Sequence, residues 1–190
     1  MTKVRWGLLS TASIGRVVTE ATRQAQHAEF VAVASRDAGR ARRFAAELDL
    51  QASFGSYEEL LASEDVDAIY VALPISMHTE WTIKSLSAGK HVLCEKPFAI
   101  SPQDAASCFH AASAAGRLCA EGLMYRHHPQ TTLARTLLSD GAIGRLAYVR
   151  AALSQCRQRR HQTFGRTRWR SVAGPRLLLR QCRPTVRWSS

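Results

Sequence analysis

No stretch of the 190 residues supplies the roughly 20 consecutive apolar residues that a membrane-spanning helix needs. The N-terminus carries Lys3 and Arg5 but no apolar segment followed by a small-residue cleavage site, so a soluble, cytoplasmic protein is expected. The five cysteines (Cys94, Cys108, Cys119, Cys156 and Cys182) have neither C-x-x-C spacing nor a paired framework. That pattern points to free thiols, and no metal site is expected. Acidic residues are missing altogether from residues 154–190, which hold ten Arg; residues 1–153 are nearly balanced, with 16 Lys and Arg against 15 Asp and Glu. The net charge of +11 therefore belongs to the C-terminal stretch and gives no reason to treat the whole chain as a nucleic-acid binder.

The chain is organised around Val4 to Gly15. Val4, Trp6, Leu8 and Leu9 read as a short buried strand, followed by the small residues Ser10, Thr11, Ala12 and Ser13 and then a helical pattern from Ile14 to Ala25. A helix start after such a turn offers unpaired N–H groups and the positive end of the helix dipole to a phosphate. The dinucleotide fingerprint G-x-G-x-x-G falls here on Ser10, Ala12 and Gly15, so two of its three glycines are missing. On the turn alone, a nucleotide site and an ordinary strand-to-helix turn remain open.

Further along, Phe30–Ala34 is a continuous apolar run, as expected of a strand covered on both faces, and it ends at Ser35-Arg36-Asp37. A small hydroxyl beside an arginine suits the 2′-phosphate of NADP. An acid at this place suits the ribose of NAD, so Asp37 competes unless it caps the next helix. Arg40 adds charge nearby. Ala41, Phe44, Ala45 and Leu48 mark that helix, and Ser56 with Glu59 forms a capping box for a short one. A strand at Ala68–Leu73 is stopped by Pro74, a helix runs from about Thr79 to Ala88 with Gly89 after it, and a strand at His91–Cys94 leads into Glu95-Lys96-Pro97. Lys96, at a strand's carboxyl end and held by a neighbouring carboxylate, has a charge suited to stabilising an alkoxide or carbonyl oxygen; a surface Glu-Lys pair is the alternative. The Lys96–Pro97 peptide is a candidate for cis geometry. Ser101, Pro102 and Asp104 open another helix, on which Ala105, Phe109 and Ala112 form the apolar face, and Arg117–Glu121 reads as the last of six strand signals. The fold expected is α/β, a doubly wound parallel Rossmann sheet.

Arg5-Trp-Gly-Leu-Leu-Ser-Thr-Ala, Ala34-Ser-Arg-Asp37, Gly55-Ser-Tyr-Glu-Glu-Leu-Leu61, Val66–Pro74, Ala88-Gly-Lys-His-Val-Leu-Cys-Glu-Lys-Pro97 and Met124-Tyr-Arg-His-His-Pro-Gln130 together resemble the glucose–fructose oxidoreductase and inositol dehydrogenase family. Within it, the chain is most similar to the NADP-dependent branch that contains trans-dihydrobenzenediol and D-xylose dehydrogenases. The resemblance covers residues 3 to about 153. It implies a Rossmann domain over residues 1–122, a linker helix and first strand of a second α/β domain over 123–153, and hydride transfer between NADP, rather than NAD, and a sugar or diol. By position, Ser10, Thr11, Ala12, Ser13 and Ile14 face the pyrophosphate, Ser35 and Arg36 the 2′-phosphate, and Leu73, Pro74 and His78 the cofactor's middle. Glu95 and Lys96 lie at the nicotinamide ribose, Lys96 being the family's usual catalytic lysine. Tyr125, Arg126 and His127 line the cleft where the second domain begins, with Arg126 a cofactor contact and His127 a catalytic candidate. His128 is expected to pack or to line the cleft. A homo-oligomer is expected if the full second domain exists.

Leu133, Leu137 and Leu138 mark a helix from Pro129 to Asp140, and Leu146–Leu153 resembles the first strand of the second domain. From Ser154 onward periodicity vanishes, and the stretch has too few apolar residues to offset its ordering entropy. Residues 154–190 are expected to be disordered or to come from a shifted reading frame, since Gly174–Arg180 permits the family's Asp-x-Gly-x-Tyr motif when read one base later. Without that motif's proton donor and substrate contacts, poor turnover is expected. The other readings are an NADP-binding sensor without chemistry and a nucleic-acid binder using Trp169 and Trp188, although no RNA- or DNA-binding motif is present.

Overall fold

A computed structural model describes residues 2–150. The strands and helices of the described residues all belong to one compact unit, Met1–Leu146. The expectations for residues 151–190 lie outside the described residues.

Six parallel strands form one sheet: Val4–Leu9 (β1), Ala28–Ala34 (β2), Ala52–Phe54 (β3), Ala68–Val71 (β4), His91–Cys94 (β5) and Cys119–Glu121 (β6). Their order is β3-β2-β1-β4-β5-β6, so strand order reverses between β1 and β4. Parallel neighbours need crossovers. These are the helices Ser13–Thr22 (α1), Ala38–Leu48 (α2), Tyr57–Ala62 (α3), His78–Ser87 (α4) and Pro102–Ala115 (α5), with Pro129–Ser139 (α6) following the sheet. This is the doubly wound Rossmann arrangement that the alternating signals predict.

The central strands are apolar on both faces because both are covered. Leu8 packs with Val33, Tyr70, Ala72 and the α2 residues Phe44, Ala45 and Leu48, while Leu9 faces the opposite way among Ala34, Val71, Leu60 of α3 and Trp81 of α4. Leu8 and Leu9 are both fully buried. Helix starts follow the sequence closely. Asp37 caps α2 by accepting from Arg40 N at 2.9 Å, Ser56 caps α3 through Glu59 N at 3.2 Å, and Ser101 caps α5 through Asp104 N at 3.1 Å. The α3 box differs in one detail: the Glu59 carboxylate accepts from Gly55 N at 3.0 Å rather than from the cap residue itself.

Three expectations need correction. On α5 the buried residues are Cys108 and Ala112, whereas Phe109 is half-exposed and stacks on Phe98 with ring centroids 5.1 Å apart. The helix turns its small residues to the sheet so that it can approach closely, and this leaves the large ring outside. Residues 146–150, expected to begin a strand, carry no strand, since a strand exists only as part of a ladder and among the described residues no further sheet is present to pair it. His128 is not packed but exposed, and its Nδ1 accepts from Gln130 N at 3.2 Å to cap α6. Among the described residues no helix is long and apolar enough to cross a membrane.

The end of the sheet away from the strand carboxyl termini is closed by a fork. The Arg5 guanidinium donates to both carboxylate oxygens of Asp67, at 3.1 and 2.9 Å, and to Glu64 O at 2.8 Å. Hydrogen bonding to Arg5 holds the Asp67 carboxyl below its ordinary value. A carboxyl lowered on folding contributes stability that is complete above its unfolded value near 3.9, and the contribution is lost as pH falls through the lower folded value. Asp67→Asn should therefore lower stability at neutral pH and flatten the acid side of the profile below about pH 4. Urea midpoints measured by circular dichroism between pH 7 and pH 2 check this, and parallel profiles for the two proteins would refute it.

Candidate functional site

A cleft of about 730 Å³ opens beyond the carboxyl ends of β1, β2 and β4, where strand order reverses. Ser10, Thr11 and Ala12 form one wall, Ser35, Arg36, Asp37 and Arg40 a second, and Ala72, Leu73, Pro74 and Met77 a third, with Tyr57 between.

Ser10 stands where the fingerprint has its first glycine, and its φ of 114° is in the region that favours glycine. Its hydroxyl meets this demand by bonding on two sides, donating to Ala72 O at 2.8 Å and accepting from Ala12 N at 3.2 Å. The hydroxyl thus ties the turn to the end of β4. The second position, Ala12, is the N-cap of α1; it provides no side-chain cap, and no acid stands in the first turn. Gly15 N donates to Ala12 O at 3.0 Å, so the amides of Ser13 and Ile14 are the ones left for an acceptor from outside this 10-residue helix. Ser13 and Ile14 belong to that first turn and lie beyond the lining of the cleft. Gly15, the position that kept its glycine, sits where a Cβ would come within 3.3 Å of Phe44 Cζ, so its absence lets α1 lie close to the Phe44 ring of α2.

On the second wall, Ser35 is buried and its Oγ accepts from Asp37 N at 3.3 Å. Asp37 faces its own helix. Hydrogen bonding from the Arg40 backbone holds its carboxyl below the ordinary range, with Gly39 N and the charges of Arg43 and Arg40 adding to the effect. Arg36 and Arg40 are both exposed and both line the cleft, so this wall presents two cations to whatever occupies it.

His78 is not among the residues that line the cleft. It is 2 % exposed, its Nε2 is 2.8 Å from Leu73 O and its Nδ1 is 2.9 Å from Pro97 O. The buried ring packs between these two carbonyls, and the tautomer decides which of them it donates to. Glu95 likewise turns inward: one carboxylate oxygen accepts from the Tyr70 hydroxyl and the other from Lys96 N at 3.2 Å. Burial, followed by the bond to Glu95, raises the Tyr70 hydroxyl well above its ordinary pKa, so it serves as a donor. The carboxylate therefore holds the backbone of Lys96 rather than its ammonium, which differs from the expected side-chain pair. Among the described residues the exposed Lys96 ammonium forms no ion pair. The Lys96–Pro97 peptide is cis. Arg126 and His127 are exposed on the turn Met124–His127 and are not part of the cleft lining.

Cys94, Cys108 and Cys119 are free, and burial raises all three thiols, Cys94 to about 12 and Cys119 to about 11. They are poor nucleophiles and take no part in this site.

Sequence reasoning missed Tyr57, Ala72 and Met77 as lining residues, and Tyr70 as the partner of Glu95. The available signal for Tyr70 was a hydroxyl in the middle of an apolar strand, since a buried tyrosine needs a hydrogen-bond partner. Tyr57 follows a cap residue and gives no indication of the side it faces.

The sequence pattern of the group described as "Oxidoreductase family, NAD-binding Rossmann fold" matches residues 4–123. The D-xylose 1-dehydrogenase (NADP(+)) 2 of Haloferax volcanii is 42% identical over 136 residues, covering 71% of this chain and 42% of that one. The trans-1,2-dihydrobenzene-1,2-diol dehydrogenase of Bos taurus is 32% identical over 173 residues, 90% of this chain and 51% of that one. Among solved structures, a 3-ketoreductase from Actinomadura kijaniata in complex with NADP superposes with a TM-score of 0.69 at 38% identity, over 75% of this chain and 45% of that one. The chain spans about half the length of the curated relatives it matches. With a reversed-order parallel sheet, a cleft at its switch point and a match across the whole of that sheet, the chain is a member of the glucose–fructose oxidoreductase and inositol dehydrogenase family of NAD(P)-dependent oxidoreductases.

Proposed function

We propose that the chain carries the cofactor-binding part of an oxidoreductase that uses NADP in preference to NAD and acts on a hydroxyl or carbonyl carbon of a sugar or diol. The observation that carries the cofactor preference is the second wall of the cleft. There Asp37, the acid of this wall, turns one carboxylate oxygen to the cap of α2, and the two cations Arg36 and Arg40 face the same space. The wall fits a 2′-phosphate. The uncapped start of α1, with Ser10, Thr11 and Ala12 before it and Ser13 and Ile14 in its first turn, fits the pyrophosphate. Leu73 and Pro74 border the middle of the cofactor. The sugar and diol chemistry of the named relatives supports the substrate class.

When bound, NADP supplies the acceptor or donor of the hydride. The protein's own contribution is charge and position. Lys96, with an ammonium that no carboxylate neutralises among the described residues, stabilises negative charge developing on the substrate oxygen and is the proton-handling candidate. Glu95 holds the Lys96 backbone next to the ribose. Arg126 and His127, on the turn after β6, are assigned to the side of the cleft that the rest of the enzyme completes, Arg126 towards the cofactor and His127 towards the substrate.

Fluorescence titration of the full 190-residue chain with NADPH and NADH tests the reading. NADPH should bind at least about tenfold more tightly, the effect of one charge-assisted contact or more. Equal affinities would overturn the NADP preference, and no binding of either would overturn the site.

A further inference from the structure

The segment between β5 and α5 is restrained more than a surface connection needs. Lys96 and Pro97 are exposed, so water is available to their backbone groups. Side chains from other elements bind it nevertheless. From β6, the Glu121 carboxylate accepts from Phe98 N at 3.0 Å. From α4, His78 Nδ1 is 2.9 Å from Pro97 O, and its Nε2, 2.8 Å from Leu73 O, connects the same residue to a wall of the cleft. From β4, the Tyr70 hydroxyl fixes Glu95, whose second oxygen accepts from Lys96 N. Glu95 N in turn donates to Val71 O at 2.9 Å. A neutral imidazole has one N–H, so only one of the two His78 contacts is an N–H···O bond at a time, and the tautomer decides which.

Three elements thus spend polar or charged side chains on four consecutive residues, and the side chain presented from the middle of them is Lys96. A lysine has a long flexible stem, and with no ion-pair partner for the Lys96 ammonium among the described residues, the backbone is what places it. We propose that Tyr70, His78 and Glu121 are positioning residues for Lys96, fixing the backbone of residues 95–98 relative to Leu73 so that the ammonium reaches the reacting end of the bound cofactor. The assignment rests on the reading of Lys96 as the catalytic lysine.

The test is the acylation rate of Lys96, followed by mass spectrometry on the full chain with and without NADPH, with Lys84 as internal reference. Bound NADPH should slow acylation of Lys96 by at least about fivefold, and Glu121→Ala and Tyr70→Phe should reduce that protection to less than about twofold, since misplacement by about 1 Å is enough to uncouple a group from its target. Glu121→Gln keeps an oxygen that accepts from Phe98 N and should restore protection, which a loss of charge alone would not allow. Should Glu121→Ala fail to fold, Tyr70→Phe, which removes one oxygen, carries the test. Full protection in both variants would overturn the positioning role while leaving Lys96 at the cofactor. No protection in the unmodified chain at saturating NADPH would overturn the reading of Lys96 and the positioning role with it.

Discussion

Alanine at both Arg36 and Arg40 is expected to weaken NADPH binding roughly a hundredfold while changing NADH binding less than about threefold, on the basis of one charge-assisted contact from each guanidinium to a phosphate that NADH lacks. Both side chains line the cleft and both are exposed when the cofactor is absent, so neither is needed to complete the core. Their removal should leave the thermal unfolding curve nearly unchanged, which separates loss of a contact from loss of the fold. Exposed charges are screened by salt, and the NADPH preference of the unmodified chain should shrink as ionic strength rises. Fluorescence titrations of both cofactors at low and high salt provide the measurement. An equal loss for NADPH and NADH would mean that the arginines act on the shared part of the cofactor or on the wall itself, and the 2′-phosphate assignment would fail.

Asp37 shows why the proposed NADP preference is only partly legible in the sequence. Ser35-Arg36-Asp37 contains the residue types suited to either cofactor, and the order of residues alone does not choose between them. The proposed choice rests on a hydrogen bond: one oxygen of the carboxylate turns back to Arg40 N and caps α2, beside the two cations that line the cleft. The alternative role for Asp37 as a cap was visible from its place before a helix, but which role prevails depends on the backbone at the end of β2. Ser10 makes a similar point about the turn. A fingerprint short of two glycines reads weakly, yet the structure retains the positive φ of a glycine position at Ser10 and offsets it with bonds to Ala72 O and Ala12 N. The bond to Ala72 spans more than sixty residues and cannot be read from local pattern. Strand and helix identities were legible because apolar runs and cap residues are local. The support of Lys96 was not, because Tyr70, His78 and Glu121 meet the loop only once the sheet is assembled.

Leu9→Ala is expected to cost about 2–5 kcal/mol of stability, whereas Leu133→Ala should change it by no more than about 0.5 kcal/mol. The two leucines look alike in sequence, each at an apolar position of a predicted element. Leu9 ends β1, is fully buried among residues of β2, β4, α3 and α4, and directly precedes the Ser10 turn. Its truncation leaves a cavity that a central strand, paired on both sides, cannot collapse to fill. The loss should also reach the cleft, because the turn proposed to bind the phosphate follows directly on that strand. Leu133 is 59% exposed on α6, beside Leu137 and Leu138, which are also exposed, and α6 has no buried residue. Periodicity reports that a helix has an apolar face, and says nothing of whether another surface covers that face. Urea unfolding of the full chain followed by circular dichroism measures both variants. If Leu133→Ala were as costly as Leu9→Ala, the α6 face would have to be covered in solution, and its exposure among the described residues would not describe the working protein.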